Sequence, residues 1–373
     1  MKKNILNIVV TGGPCGGKTT ALDELTKFLR SYGYSVIVVA EAATELINSG
    51  IRPFGDNKLD VISFQSLLLD YQLAKEKIQR KAASISPSDK VAIIYDRGIL
   101  DNRAYLDDEI FDELLKQKNM NESNILASYD VVIHLVSAAI GKEEYYTTAN
   151  NKARTETIEE ARNQDIKTRN TWRHHPNLNI ISNDTLFNEK IEKTKNVIRA
   201  YLGEKEVLRK ERYLVNISDI VFEKINREMV QEDIEEFVLN YDDEEAFVYT
   251  KNTIKGSSYY TCSRNIFEQD GSYRTICHTI TKEDYAENLS KLKGSVIHEI
   301  RYNFIDDGER FRLTLYLLDD DCFAILERDV VNENRLSLPE FIKGAVNITS
   351  NHEYSNDSIY VDYNIKKIFN KKR

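Results

Sequence analysis

The chain has 373 residues, 41% of them hydrophobic, with five prolines and a net charge of −9. That length exceeds one ordinary core and predicts two folded domains, and the acidic balance argues against nonspecific binding to nucleic acid or an anionic membrane. No run reaches the ~20 apolar residues of a membrane span, the start resembles no signal peptide, and Cys15, Cys262, Cys277 and Cys322 lack zinc or C-x-x-C spacing, so a reduced, cytoplasmic setting is expected.

Residues 5–10 predict a first, buried strand. Gly12-Gly13-Pro14-Cys15-Gly16-Gly17-Lys18-Thr19 follows it as a complete G-x-x-x-x-G-K-T phosphate loop (Walker A), with Thr20 next and a helix running to about residue 31. Glycines let successive backbone N–H groups converge on an anion, and the helix starting at Lys18 adds the positive end of its dipole. Lys18 is placed to reach the β- and γ-phosphates and the Thr19 hydroxyl to bind Mg²⁺. This arrangement implies a nucleoside triphosphate ligand, ATP or GTP, and the lack of an N-K-x-D motif tilts the choice toward ATP.

Further along, strands are expected at 35–40, 91–95, 131–136 and 178–182, with helices at 60–83, 154–172 and 188–202. This alternation predicts a doubly wound parallel sheet over residues 1–203, with ligands at the carboxyl ends of its strands. From 206 to 373 the pattern changes to short runs rich in tyrosine and β-branched residues, at 212–215, 236–241, 246–251, 258–263, 273–280, 296–304, 311–318, 323–330 and 347–349. Helices at 219–228 and 282–291 interrupt them. A mainly antiparallel β sandwich or barrel is expected.

Glu41 closes the second strand, where a carboxylate can take a proton from an acceptor hydroxyl or simply sit at a helix start. Asp96 follows Val-Ala-Ile-Ile-Tyr, a strand-then-aspartate arrangement suited to orienting Mg²⁺. Arg97 is a candidate for holding acceptor or phosphate, and Asp101 and Arg103 share the loop. Arg154, Arg162 and Arg169 recur at helical spacing among Glu156, Glu159, Glu160 and Asp165, forming either an arginine-bearing lid or a salt-bridged helix. Trp172 reads as a packing anchor and His175 as structural. Phe64-Gln65 offers an amide to an acceptor.

In combination, GGPCGGKTT, Glu-Ala-Ala at 41–43, Asp-Arg-Gly at 96–98, the arginine-rich stretch at 151–165 and W-x-x-H-P at 172–176 resemble a group of P-loop ATPases. This group is related to nicotinamide riboside kinase and more distantly to deoxynucleoside kinases. The resemblance implies a kinase-like, Mg²⁺-dependent nucleotide-binding domain. The second half resembles a CYTH, or triphosphate tunnel, domain. The carrying segments are Lys-Glu-Arg-Tyr-Leu-Val at 210–215, Glu-Ile-Arg-Tyr at 299–302, Ala-Ile-Leu-Glu-Arg-Asp at 324–329, Leu-Pro-Glu-Phe at 338–341 as the closing helix, and the stretch from Thr349 to Asn356. The two-domain order is similar to the TRPL translocation defect protein family.

A tunnel of that type needs basic side chains along an anion path and carboxylates for a metal. The candidates are Lys210, Arg212, Lys251, Arg264 and Arg301, with Glu327 and Asp329 facing one side of a strand. The E-x-E-x-K opening of tunnel hydrolases reads Leu208-Arg209-Lys210-Glu211-Arg212, and an expected aspartate is Thr314. An anion-binding tunnel for a phosphorylated small molecule, without catalysis, is therefore expected there. The leading function is phosphoryl transfer or nucleotide hydrolysis by the first domain. Two alternatives stay open: a nucleotide-switched adaptor without turnover, and triphosphate hydrolysis in the second domain. The acceptor and the oligomeric state are not readable from the sequence.

Overall fold

A computed structural model describes residues 4–146, 157–204, 210–239, 244–267, 273–318, 322–330, 338–355, 358–360 and 363. The chain divides into two compact units, Met1–Ile198 and Arg199–Arg373.

The first unit contains a five-stranded parallel sheet. In chain order it holds β1 (Asn4–Thr11), α1 (Lys18–Ser31), β2 (Ser35–Val39), α2 (Ala42–Asn48), α3 (Val61–Ile85), β3 (Lys90–Asp96), α4 (Asp108–Gln117), α5 (Glu122–Leu126), β4 (Val131–Leu135), α6 (Ile158–Thr171), β5 (Leu178–Ile181) and α7 (Phe187–Tyr201). The spatial order β2-β3-β1-β4-β5 puts β1 between β3 and β4. β3 and β4 are apolar on both faces and almost wholly buried, as a parallel sheet covered by helices on both sides requires. Register pairs Val10 with Asp96 and Thr11 with His134, so the segment leaving β1 emerges between the ends of β3 and β4.

Local signals set several helix starts. Asp60 caps α3 by accepting the Ser63 N–H at 2.9 Å. Thr157 and Glu160 cap α6 reciprocally ahead of Ile158, and the start expected at 154 lies outside the described residues.

The second unit is a nine-stranded antiparallel sheet in the order β10-β9-β8-β7-β11-β12-β13-β6-β14. These strands are β6 (Lys210–Val215), β7 (Gln231–Leu239), β8 (Glu245–Ile254), β9 (Ser257–Phe267), β10 (Tyr273–Ile280), β11 (Ile297–Asp306), β12 (Glu309–Leu317), β13 (Cys322–Asp329) and β14 (Val346–Asn347), with α8 (Phe222–Glu228) and α9 (Lys282–Leu289) between them. Among the described residues no pairing joins the end strands β10 and β14, so the expected barrel is seen as a sheet without a closing ladder. The closing helix expected at 338–341 is instead a turn, followed by an isolated bridge between Ile220 and Ile342.

β12 shows the two-sided character of this sheet. Phe311, Leu313 and Leu315 join an apolar core with Ile225 and Phe341, while Arg310, Arg312 and Thr314 alternate onto the opposite face. No helix among the described residues is long and apolar enough to cross a membrane.

Candidate functional site

The segment from Gly12 to Thr19 connects β1 to α1 and turns tightly against the end of β4. Gly12 adopts φ 140° and Gly17 φ 90°, conformations that glycine takes without steric cost. A Cβ on Gly12 would lie 2.1 Å from the Leu135 carbonyl oxygen, so this backbone approach excludes any side chain. Gly17 is the N-cap of α1, no side chain caps that helix, and its first turn carries no acidic residue. The opening N–H groups of α1 therefore lack intrahelical partners, and no acidic residue of the helix's own first turn competes for them. Lys18 folds its ammonium back over the loop, donating to the Gly12 and Gly13 carbonyls at 3.0 and 2.9 Å. Thr19 and Thr20 are exposed, whereas Pro14 and Gly16 are buried and Cys15 is half-buried.

Asp96 ends β3 beside this loop. Its Oδ1 is buried and has no hydrogen-bond partner. Burial, and then the nearby Glu41 charge, push its carboxyl up. An orphaned carboxylate oxygen next to a phosphate loop, with the exposed Thr19 hydroxyl at the helix start, is a donor set that suits Mg²⁺. Arg97 follows with φ 68° and donates its backbone N–H to the Val10 carbonyl at 3.0 Å. Its Nε sits 2.5 Å from Glu41 Oε1, while its Nη1 is buried without a partner. Glu41 also accepts from Thr44 at 2.6 Å. Burial pushes the Glu41 carboxyl up, but Arg97, Thr44 and Lys18 outweigh that and hold it at about 2.

Several neighbouring polar residues are engaged within the fold. Asp101 accepts from Thr11 Oγ1 at 2.5 Å, the Gly98 N–H at 2.7 Å and Trp172 Nε1 at 3.1 Å. Arg103 is ion-paired with Asp108, Asp112 and Glu122. Trp172 is fully buried against Tyr129, and His175 bonds the Tyr129 carbonyl at 3.0 Å. Gln65 is buried on α3, and its Oε1 has no partner.

The arginine-rich helix shows, at Arg162, the pairing expected of a salt-bridged helix. Arg154 lies outside the described residues. Arg162 binds the Ala139 carbonyl and Glu143, each at 2.6 Å, so its guanidinium is occupied by these partners. Arg169 is buried. Asp165, one turn beyond Arg162, touches the loop, accepting the Gly13 N–H at 3.0 Å. The sequence reading grouped it with the solvated carboxylates. The usable signal was its place on the same helical face as Arg162 and Arg169.

In the second unit, strand alternation collects charge on one face of the sheet. Lys210 and Arg212 of β6 lie opposite Asp329 and Glu327 of β13. Glu327 is 3.3 Å from Arg212 and 3.2 Å from Arg312. Asp329 is 3.6 Å from Arg312 and 3.9 Å from Arg310. Arg301 contacts Glu299 at 3.3 Å and Thr314 at 3.2 Å. Arg310 and Glu232 are 3% and 1% exposed, so this polar face is enclosed rather than solvated.

Burial pushes the Glu327 carboxyl up, but Arg312, Arg212 and Lys210 bring it to about 2. Burial and Arg312 pull the Lys210 ammonium down. Arg310, Arg312, Glu232, Glu236 and Glu299 belong to this face and were missed from the sequence. Lys251 and Arg264 do not belong to it. Both have the opposite strand parity, and they pair with Glu235 and Glu245 on the other face. Among the described residues, no group of three or more His, Cys, Asp or Glu is arranged to hold a metal ion.

A protein-family profile described as "AAA domain" matches residues 7–190, which lie within the first unit. Among solved structures the chain is similar to the inorganic triphosphatase NE1496, with 12% identity and a TM-score of 0.30 over 42% of this chain and 96% of that one. A second structure of NE1496, described as a hypothetical protein, gives 13% identity and a TM-score of 0.29 over 41% and 97%. The PH1819 protein from Pyrococcus horikoshii OT3 gives 15% identity and a TM-score of 0.27 over 34% and 80%. No curated protein matches the chain.

Proposed function

We propose that the first unit binds a magnesium nucleoside triphosphate, ATP or GTP, and passes its γ-phosphoryl group to a small acceptor or to water. The observation that carries this reading is the uncapped amino terminus of α1, with Lys18 at the mouth of a loop pressed against β4. The AAA-type match over residues 7–190 supports it. Phosphoryl transfer asks the protein mainly for positioning and charge stabilisation. The loop and Lys18 would cradle the phosphates, with Thr19 and Asp96 holding Mg²⁺ or its water.

Of the two candidate proton acceptors, Asp96 fits better, provided that it holds the metal through a water and keeps one carboxylate oxygen free of it. Its carboxyl is pushed up, whereas Glu41, held at about 2, is a weak base better suited to fixing Arg97. The unpartnered Nη1 of Arg97 would meet the acceptor or the transferring phosphoryl group. Lys18→Ala is expected to abolish nucleotide binding and turnover. Binding and hydrolysis at the wild-type level in that variant would refute the assignment. Tight nucleotide binding by the wild type, with no turnover on water, nucleosides or nicotinamide riboside, would favour the adaptor reading instead.

For the second unit the proposed role is binding of a phosphorylated small molecule by the arginines and lysine of the enclosed charged face, without catalysis. Its carboxylate Glu327 is engaged by Arg212 and Arg312, and Asp329 lies 3.6 Å from Arg312. The two units together are read as a kinase-like domain followed by a CYTH-like domain, the order of the TRPL translocation defect protein family.

A further inference from the structure

We propose that Asp165 is the positioning residue of the phosphate loop, holding Gly13 from helix α6 and so fixing the register in which the loop meets polyphosphate. This inference rests on the nucleotide-binding reading of the same loop.

The geometry is unusual for a site that must accept an anion, because a buried carboxylate lies directly against it. Three donors converge on one oxygen, Asp165 Oδ1: the Gly13 N–H at 3.0 Å, the Ser137 N–H at 2.8 Å and His134 Nε2 at 3.2 Å. Ser137 then grips the next loop residue, its Oγ donating to the Pro14 carbonyl at 2.5 Å. Consecutive residues of the loop are thus held through opposite backbone groups, the N–H of Gly13 and the C=O of Pro14. Neither group is then available to the ligand, and together they set where the following N–H groups point.

Gly13 matches this arrangement sterically. A Cβ at that position would lie 2.7 Å from Asp165 Oδ1 and 2.8 Å from Asp165 Cβ. The glycine admits the carboxylate, and the carboxylate fixes the glycine. Arg162, three residues earlier on α6, bonds the Ala139 carbonyl, and Lys190 bonds the Val136 carbonyl at 2.7 Å. The segment after β4 is therefore tied to α6 and α7 while it supports the loop. Charge-assisted bonds from a carboxylate to backbone N–H groups are stronger than neutral ones, which favours an acid over an amide here despite its repulsion of phosphate.

The test is a double-mutant cycle on Mg-ATP and Mg-GTP affinity, measured by titration with thermal unfolding recorded for every variant. Asp165→Asn keeps the shape but removes the charge, and is expected to weaken nucleotide binding by about tenfold. Gly13→Ala, which drives a methyl into the carboxylate, should weaken it comparably. If Asp165 acts through Gly13, the double variant binds no worse than the weaker single variant. Wild-type affinity in Asp165→Asn, or independent multiplication of the two effects, would overturn the proposal, as would a lowered melting temperature with unchanged affinity. Should Asp165→Asn fail to fold, Asp165→Glu keeps the charge, overshoots Gly13 and is read on the same terms. Lys18→Ala separates the two levels. If it binds nucleotide normally, the nucleotide reading fails. If it does not bind while Asp165→Asn binds normally, only the positioning role fails.

Discussion

The Arg97 guanidinium meets the Glu41 carboxylate at 2.5 Å, joining the end of β3 to the start of α2 across the mouth of the parallel sheet. Arg97 reaches it from a left-handed backbone conformation, φ 68°, which costs a non-glycine residue energy unless its surroundings hold it there. The Val10 carbonyl and Glu41 supply that hold. Glu41→Gln removes the charge that aims Arg97. Turnover is expected to fall by on the order of tenfold or more, with nucleotide affinity changed far less, because the phosphate loop is untouched. Steady-state kinetics beside a nucleotide titration checks this, and an unchanged kcat would remove Arg97 from the reaction.

Asp96 gives a second prediction. Its orphaned Oδ1 is the group best placed to hold a metal or a metal-bound water. In Asp96→Asn the gain in nucleotide affinity on adding Mg²⁺ should largely vanish, while affinity in EDTA stays at the wild-type level. Titrations with and without Mg²⁺ measure that difference directly. An intact Mg²⁺ response would place the metal elsewhere.

Much of the first unit was legible in the sequence because its parallel strands are continuous apolar runs and its loop is spelled by glycines at fixed spacing. Helices α4 and α5 were missed, and α2 was foreseen only as a helix start at Glu41. They are short, and tertiary packing rather than a long period decides them. Asp165 was misplaced because a carboxylate among glutamates on a polar helix reads as solvated, and only the fold brings Gly13 and His134 to it. In the second unit the strand positions were legible, but their parity was not always followed through. Lys251 and Arg264 are basic residues on the wrong face, while Arg310 and Arg312 alternate with Phe311 and Leu313 in a pattern that marks their side of β12.

Trp172 yields a stability prediction. It is the one tryptophan of the chain and is fully buried. Its indole N–H is bound to Asp101, which also receives Thr11 and Gly98. Trp172→Phe should cost about 1–3 kcal/mol by removing a donor from a buried carboxylate. Trp172→Ala should cost about 3–5 kcal/mol through the added cavity. Urea unfolding followed by circular dichroism measures both losses. In the wild type, tryptophan fluorescence should report the melting of the first unit.

The enclosed charged face of the second unit gives a prediction with two opposite signs. Glu327 is held at about 2 against its ordinary value of 4.5, since Arg312, Arg212 and Lys210 outweigh burial. A depressed carboxylate contributes stability that is present above 4.5 and disappears as pH falls from there to about 2. Glu327→Gln should therefore cost on the order of 2–3 kcal/mol at pH 7, and the difference from wild type should shrink as pH falls through that window.

Glu299 runs the other way. Burial, then Glu236, push its carboxyl well above the ordinary range. It favours folding while protonated, and that contribution is lost as pH rises through its folded value. Glu299→Gln mimics the protonated form at every pH, so at pH 7 it should leave stability unchanged or raise it, and the advantage should disappear near pH 4. Denaturant unfolding of the two variants at pH 7 and pH 4 separates the cases. Equal destabilisation of both at pH 7 would mean that the arginines do not discriminate between the two acids, and the charge pattern proposed for anion binding would not stand.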